Sequence, residues 1–221
     1  MELFIKGSVI VHVIAGSLAL LSGLIAILFR NDVRSHRPFG RFYFWCMTMV
    51  FVTAVYVSLY RQNIFLFCIA FFTYYSCLTA FRSLKLKHLH KGQKAKFIDW
   101  IIEYFFGAIH LGLIAFAAYL YLNGSKQFAI ICGVFGLLGL RGNYLNAKRL
   151  KGDVEYSNYW LLTHIGGMLG SYIGAITAFL VNNNQWMRMP PLVSWLAPTV
   201  ILVPLIVYEV QRNKKKGKLI R

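Results

Sequence analysis

Seven blocks of mostly apolar residues, each long enough to cross a bilayer, occupy most of this 221-residue chain. A span needs about 20 such residues to cross roughly 30 Å of hydrocarbon. The blocks fall at about residues 5–29, 42–60, 63–81, 99–122, 127–146, 159–181 and 192–210. The expected fold is an all-α polytopic membrane protein, one seven-transmembrane-helix bundle over residues 1–221 with no separate soluble domain. Composition agrees, with 58% of residues hydrophobic and 14% charged, against about a quarter charged in soluble domains.

A net charge of +17 would suggest nucleic acid in a soluble chain. Here its placement points to topology. Arg30, Arg34, Arg37 and Arg41 follow span one, and Arg82, Lys85, Lys87, Lys91, Lys94 and Lys96 follow span three. Arg141, Lys148, Arg149 and Lys151 lie at the end of span five, and Arg212, Lys214, Lys215, Lys216, Lys218 and Arg221 form the tail. Twenty of the 24 cations thus belong to one side, leaving Lys6, Arg61, Lys126 and Arg188. The positive-inside rule puts that side in the cytoplasm, with the N-terminus outside and the C-terminus inside. The expected partners are membrane lipids, whose anionic headgroups attract such loops, and a membrane-protein partner or second copy; no nucleic-acid recognition fold accompanies the charge. The first block is too long for a signal-peptide core and is read as a retained span. Cys46, Cys68, Cys77 and Cys132 all fall inside spans, without CxxC spacing, and read as small core residues.

Small residues mark where helices should touch. Gly166, Gly170 and Gly174 recur every fourth residue in span six, and Ala15, Ala19 and Gly23 do so in span one. Such rows let backbones approach closely. Gly133, Gly136, Gly139 and Gly142 recur every third residue in span five.

Ionisable groups in hydrocarbon are expensive and need a reason. Five stand out: His12, Glu103, His110, Arg141 and His164, with Asn143 beside them. Counting along the spans makes them a ladder, with His12 in the outer third, His110 near the middle, and Glu103, Arg141 and His164 at the cytoplasmic foot. Glu103 and Arg141 are expected to pair across spans four and five. Glu103 and His110 are seven residues apart on one face, about 10.5 Å along the axis, too far to share a metal directly, and no HxxxH or HExxH follows. No metal site is expected. Hydrolase elbows, phosphate loops and dinucleotide fingerprints are also absent.

Two stretches resemble a family of bacterial integral membrane proteins of unknown function. The first is His12 with Gly16, Ala19 and Gly23, then the loop His36-Arg37-Pro38-Phe39-Gly40-Arg41-Phe42-Tyr43, which fits that family's HRxxGRxY pattern. The second is span six, where His164, Met168, Ser171, Tyr172 and Thr177 keep an HxxWMxxSYxxxxT spacing. This chain has Gly167 and Gly170 where the family carries Trp and Arg. The resemblance covers about a third of the chain and implies a multi-pass protein of the bacterial cytoplasmic (inner) membrane. It also implies that His12, His36, Arg37 and His164 share one design. Arg37 and Arg41 around Gly40 could form a corner for an anion or lipid headgroup.

Three functional classes stay open. A redox protein would use histidines around a haem or quinone, with His110 and His164 the preferred haem ligands and His12 a further candidate. A proton-coupled transporter would use His12, His110, Glu103 and His164 as a relay. A non-catalytic subunit would dock through the glycine faces. Whether the chain is an enzyme is left open.

Overall fold

The computed structural model describes residues 2–220, the side chains of Phe65, Gln127, Pro191, Leu192 and Trp195 excepted. Among the described residues the protein is all-helical. It has eight α-helices: α1 (Glu2–Leu28), α2 (Val33–Tyr60), α3 (Ile64–Ser83), α4 (Phe97–Leu122), α5 (Lys126–Leu150), α6 (Tyr159–Asn182), α7 (Asn184–Met187) and α8 (Pro191–Lys214). A 3-10 turn, Leu89–Lys91, lies in the α3–α4 connection. Six of these helices, α1 to α6, are long and apolar enough to cross a membrane. Large exposed side chains such as Ile10, Leu21, Tyr104, Phe105 and Leu137 cover their outer surfaces, an arrangement that suits lipid rather than water.

The stretch His36–Tyr43, expected as a loop, is the start of α2. Asp32 caps the helix by accepting from the Arg34 N–H at 3.0 Å and the Ser35 hydroxyl at 2.6 Å. Those bonds, the Ser35 hydroxyl first, hold the Asp32 carboxyl below its usual range. Pro38 removes one backbone donor near the helix end.

The helices pair as α1 with α2, α4 with α5, and α6 with both α3 and α8, while α3 also touches α2 and α5. α3 is therefore the hub. Glycines set the close approaches, but not all those expected. A Cβ on Gly167 would lie 2.7 Å from both Ala80 Cβ and the Ser76 carbonyl, and one on Gly174 2.7 Å from Thr73 Oγ1. Gly166 and Gly170 have nothing within 4 Å of that position. The packed row of α6 is thus Gly167, Ser171 and Gly174, turned about one position from the expected row. In α1, Gly23 leaves space for the Tyr172 ring, whose nearest atom is 2.6 Å from where its Cβ would be.

The basic ends gather at one end of the bundle, cross-linked by Arg30–Glu209 at 3.0 Å, Arg82–Asp99 at 2.6 Å, Lys148–Asp153 at 3.2 Å and Lys214–Glu155 at 3.7 Å. An isolated bridge between Tyr156 and Leu219 ties the tail to the α5–α6 connection. Trp100 and Trp160 pack at this end around Leu89, Leu150 and Tyr159.

Candidate functional site: a sealed polar core and an open seam

The buried face of α4 carries Asp99, Glu103, Phe106, His110, Leu113 and Ala117, one helical stripe turned inward. Facing it, α5 presents Asn143 and Asn146, and α3 presents Tyr75. Glu103 accepts three hydrogen bonds. Its Oε2 takes one from the Tyr75 hydroxyl at 2.8 Å and one from Asn143 Nδ2 at 3.1 Å, and its Oε1 takes one from Asn146 Nδ2 at 2.6 Å. Each of these three partners donates, so both carboxyl oxygens of Glu103 act as acceptors here. Asn143 Nδ2 also donates to the Glu103 backbone carbonyl at 3.2 Å. That leaves its Oδ1 to accept from His110 Nδ1 at 2.6 Å. The His110 proton is therefore on Nδ1, and Nε2 holds a lone pair with no partner.

His110 is fully buried. Its ring lies edge-on to Tyr75 at 5.4 Å between centroids. On the other side it rests on Gly139, where any Cβ would overlap the imidazole. Asn143 has no titratable proton, so this chain orients His110 and Glu103 without itself passing a proton between them. A cavity of about 20 Å³, bordered by Glu103, Asn146, Arg149, Arg82, Asp99 and Thr163, has room for about one water.

The expected Glu103–Arg141 pair does not form. Arg141 is exposed, and the cation whose charge reaches Glu103 is Arg149, two turns further along α5. Helical phase is the reason: position 141 points away from α4, whereas 143, 146 and 149 continue the glycine row 133, 136, 139 and 142 onto the α4-facing side. The His110 ring is enclosed and its Nε2 lies against Gly139, with no cavity beside it in this packing. His110 and His164 do not share a space.

His12, His36 and His164 belong to a second region, the seam between α1, α2 and α6, where two cavities lie end to end. The one away from the basic end, about 330 Å³, is bordered by His12, Gly16, Ala19, Leu20, Met47, Arg61, Ala175, Asn182 and Asn183. The one at the basic end, about 410 Å³, adds α8 and is bordered by Gly23, Arg30, His36, Gly40, Tyr43, His164, Met168, Tyr172, Glu209 and Arg212. Between them stand Tyr43, bonded to Ser171 Oγ at 2.8 Å, and Tyr172, whose hydroxyl donates to the Leu20 carbonyl at 2.9 Å. The partition is thin. The bordering residues change from one cavity to the other between Leu20 and Gly23, Met47 and Tyr43, and Ala175 and Tyr172, about 5 Å of rise on each helix.

The seam histidines are oriented alike. His36 Nδ1 donates to the Ala26 carbonyl at 2.9 Å and His164 Nδ1 to the Ala80 carbonyl at 3.2 Å. A carbonyl cannot donate, so each Nε2 keeps its lone pair when the ring is neutral. The two rings meet at 6.1 Å between centroids. His12 Nδ1 bonds Thr53 Oγ1 at 3.0 Å. Arg37 and Arg41 are exposed and do not border the cavity, whose cationic lining is Arg30, Arg212 and Lys216. Tyr43 and Tyr172 were named in the two motifs but given no role, and Tyr75 and Asn146 were missed, because a tyrosine in a span looks like core until its hydroxyl partner is known. No family model matches the chain, and neither does any curated protein or solved structure.

Proposed function

We propose that this is a seven-span protein of the bacterial cytoplasmic membrane that moves a small amphipathic organic anion along the α1–α2–α6 seam. Its N-terminus is outside and its C-terminus in the cytoplasm. α8, at 24 residues, is long enough to supply the seventh span, and the common basic end supports the orientation. The observation that carries the reading is the pair of cavities separated by about one turn of each helix and closed by two tyrosine hydroxyls. Tolerating a space on either side of a thin barrier is what a solute path needs.

The lining supports the substrate class. Ile27, Leu161, Ile165, Met168 and Leu205 give the inner cavity apolar walls, and Arg30, Arg212 and Lys216 outnumber its one acid, Glu209. Glu209 already bridges Arg30 at 3.0 Å and Arg212 at 3.6 Å, so an incoming carboxylate would exchange with it. His36 and His164 keep their Nε2 lone pairs beside that space, since each Nδ1 is held by a carbonyl. The family resemblance stays a proposal, but its two motifs support this site. His36, Gly40 and Tyr43 from one, and His164, Met168 and Tyr172 from the other, line the same cavity.

The test uses cysteines in a background lacking the native four. An impermeant maleimide applied to intact cells should label Gly16→Cys and Asn183→Cys, and spare Gly40→Cys and Lys216→Cys. Adding Tyr172→Ala should expose Gly40→Cys from outside while Lys216→Cys stays protected. If Gly40→Cys stays shielded in that variant, the tyrosines are not the barrier and the seam is not the path. A medium-chain carboxylate should raise the melting temperature, and the amine of equal length should not.

A redox reading keeps one specific support. The anchored His36 and His164 rings present lone pairs beside a 410 Å³ cavity, the orientation metal-bound imidazoles adopt. Protein from haem-replete cells would then show a Soret band that His164→Ala removes, and no such band ends this reading.

A further inference from the structure

Cys68 of α3 and Cys132 of α5, 64 residues apart in sequence, lie with their sulfur atoms 3.6 Å apart. Both are enclosed, at 0% and 1% exposure, in a shell of Ile64, Phe67, Leu113, Phe116 and Phe135. They sit near the end of the bundle opposite the basic one, about 6 Å and 9 Å along the helices from Ile64 and Lys126 at 1.5 Å per residue. We propose that these two thiols form a reversible redox site, a dithiol that closes to an intramolecular disulfide when it reduces a membrane-soluble quinone.

The geometry is close to closure. An S–S bond is about 2.05 Å, so each sulfur must advance by less than about 1 Å if the two share the movement. The balance is complete. Two S–H bonds break, one S–S bond forms, and two electrons and two protons pass to the quinone, which leaves as hydroquinone. Burial selects the oxidant. Exchange with a soluble disulfide requires attack by an accessible thiolate, and neither sulfur is accessible from water. An apolar acceptor can enter a crevice of about 430 Å³ bordered by Ile64, Phe67, Ile109, Leu113 and Phe116, members of the shell around the thiols, and that shell must open for the acceptor to meet a sulfur. A disulfide here would fasten α5, and with it the α4–α5 pair, to the hub helix α3.

The experiment treats the protein in lipid nanodiscs with a short-chain benzoquinone or with oxidised glutathione, then counts thiols in denaturant and maps linked peptides. Of the four free cysteines, the quinone should consume two. It should yield one hydroquinone per chain and a Cys68–Cys132 linked peptide, all restored by dithiothreitol. Oxidised glutathione should consume none over the same time. Cys132→Ser should abolish hydroquinone formation, and Cys46→Ala with Cys77→Ala should leave it unchanged. Mapping the unsubstituted chain gives the answer even if a variant fails to fold. Survival of all four thiols, quinone thioether adducts without a disulfide, or equal reaction with glutathione disulfide would each overturn the proposal.

Discussion

On the two sides of α3 the protein buries polar groups in opposite ways. On the α4–α5 side, Glu103, Asn143, Asn146 and Tyr75 satisfy one another, His110 joins them through Nδ1 while its enclosed Nε2 ends the network without a partner, and glycines bring the backbones into contact around them. On the α1–α2–α6–α8 side, His36 and His164 hold to carbonyls by Nδ1 and border a cavity with Nε2 left over. A polar network that is satisfied internally fixes one packing, because in a low-dielectric interior any lost partner is expensive. Groups left half-satisfied beside a space have capacity for a ligand. The sealed side therefore reads as the frame and the seam as the working part, and substitutions can separate the two.

The largest effect is expected at Gly139. A methyl there would overlap the His110 ring, and the ring cannot yield while Asn143 holds Nδ1 at 2.6 Å. Overpacking a tight core typically costs about 1–3 kcal/mol, occasionally more. Gly139→Ala should produce the steepest fall in detergent melting temperature of any single methyl addition. Combining it with His110→Ala should recover part of the loss, since the clash disappears. If the two losses simply add, the contact is not what limits that position.

Glu103→Gln comes next. The new amide nitrogen must face Tyr75, Asn143 or Asn146, all of them donors here. Leaving buried donors without an acceptor costs about 1–3 kcal/mol. A double-mutant cycle separates the pairing expected from sequence from the one observed. Glu103→Gln and Arg141→Gln should be additive, whereas Glu103→Gln and Asn146→Ala should not. Coupling to Arg141 would restore the interhelical ion pair and break the account of a self-contained core.

How much of this could be read from the residues follows the physics of each signal. Long apolar runs and one-sided cations located the helices and the basic end, because length and charge do not depend on partners. The period-three glycines of α5 were noted but not assigned to a face, and only the structure shows that Gly133, Gly136 and Gly139 meet α4 and that Asn143 and Asn146 carry the same side on to Glu103. Choosing Arg141 followed depth and neglected phase. His36 was singled out but taken as part of a loop, because Pro38 and its charged neighbours hide a helix start that the Asp32 cap secures. The partition was out of reach: Tyr43 and Ser171 lie 128 residues apart, and nothing local says that they meet.

On the seam side, Tyr172→Phe should do little to stability. The ring keeps its place against Gly23 and edge-on to Tyr43 at 6.0 Å, and one hydroxyl-to-carbonyl bond is lost, worth about 0.5–1.5 kcal/mol. The shift should be smaller than that of Glu103→Gln, although both remove a hydrogen bond made inside the bundle. A fall as large as that of Gly139→Ala would mean that the tyrosines are frame and not gate.

The smallest effect, and the one of opposite sign, is expected at Gly166 and Gly170. Both are in the interior of α6 with nothing within 4 Å of a Cβ. Exchanging glycine for alanine in a helix stabilises it by roughly 0.5–1 kcal/mol when no neighbour objects. Gly167→Ala and Gly174→Ala, one position away from Gly166 and one turn away from Gly170, should instead destabilise, because their methyls meet Ala80, the Ser76 carbonyl and Thr73. Melting curves of the four variants in detergent therefore test the phase of α6 directly. Repeating them in nanodiscs with a measurement of mass extends the test to partners. If Gly166→Ala or Gly170→Ala is harmless in detergent yet lowers both stability and assembled mass in lipid, this open face of α6 is where a second copy packs. If all four behave alike, neither row of α6 is distinguished, and the contacts of Gly167 and Gly174 carry less of the α3–α6 packing than their distances imply.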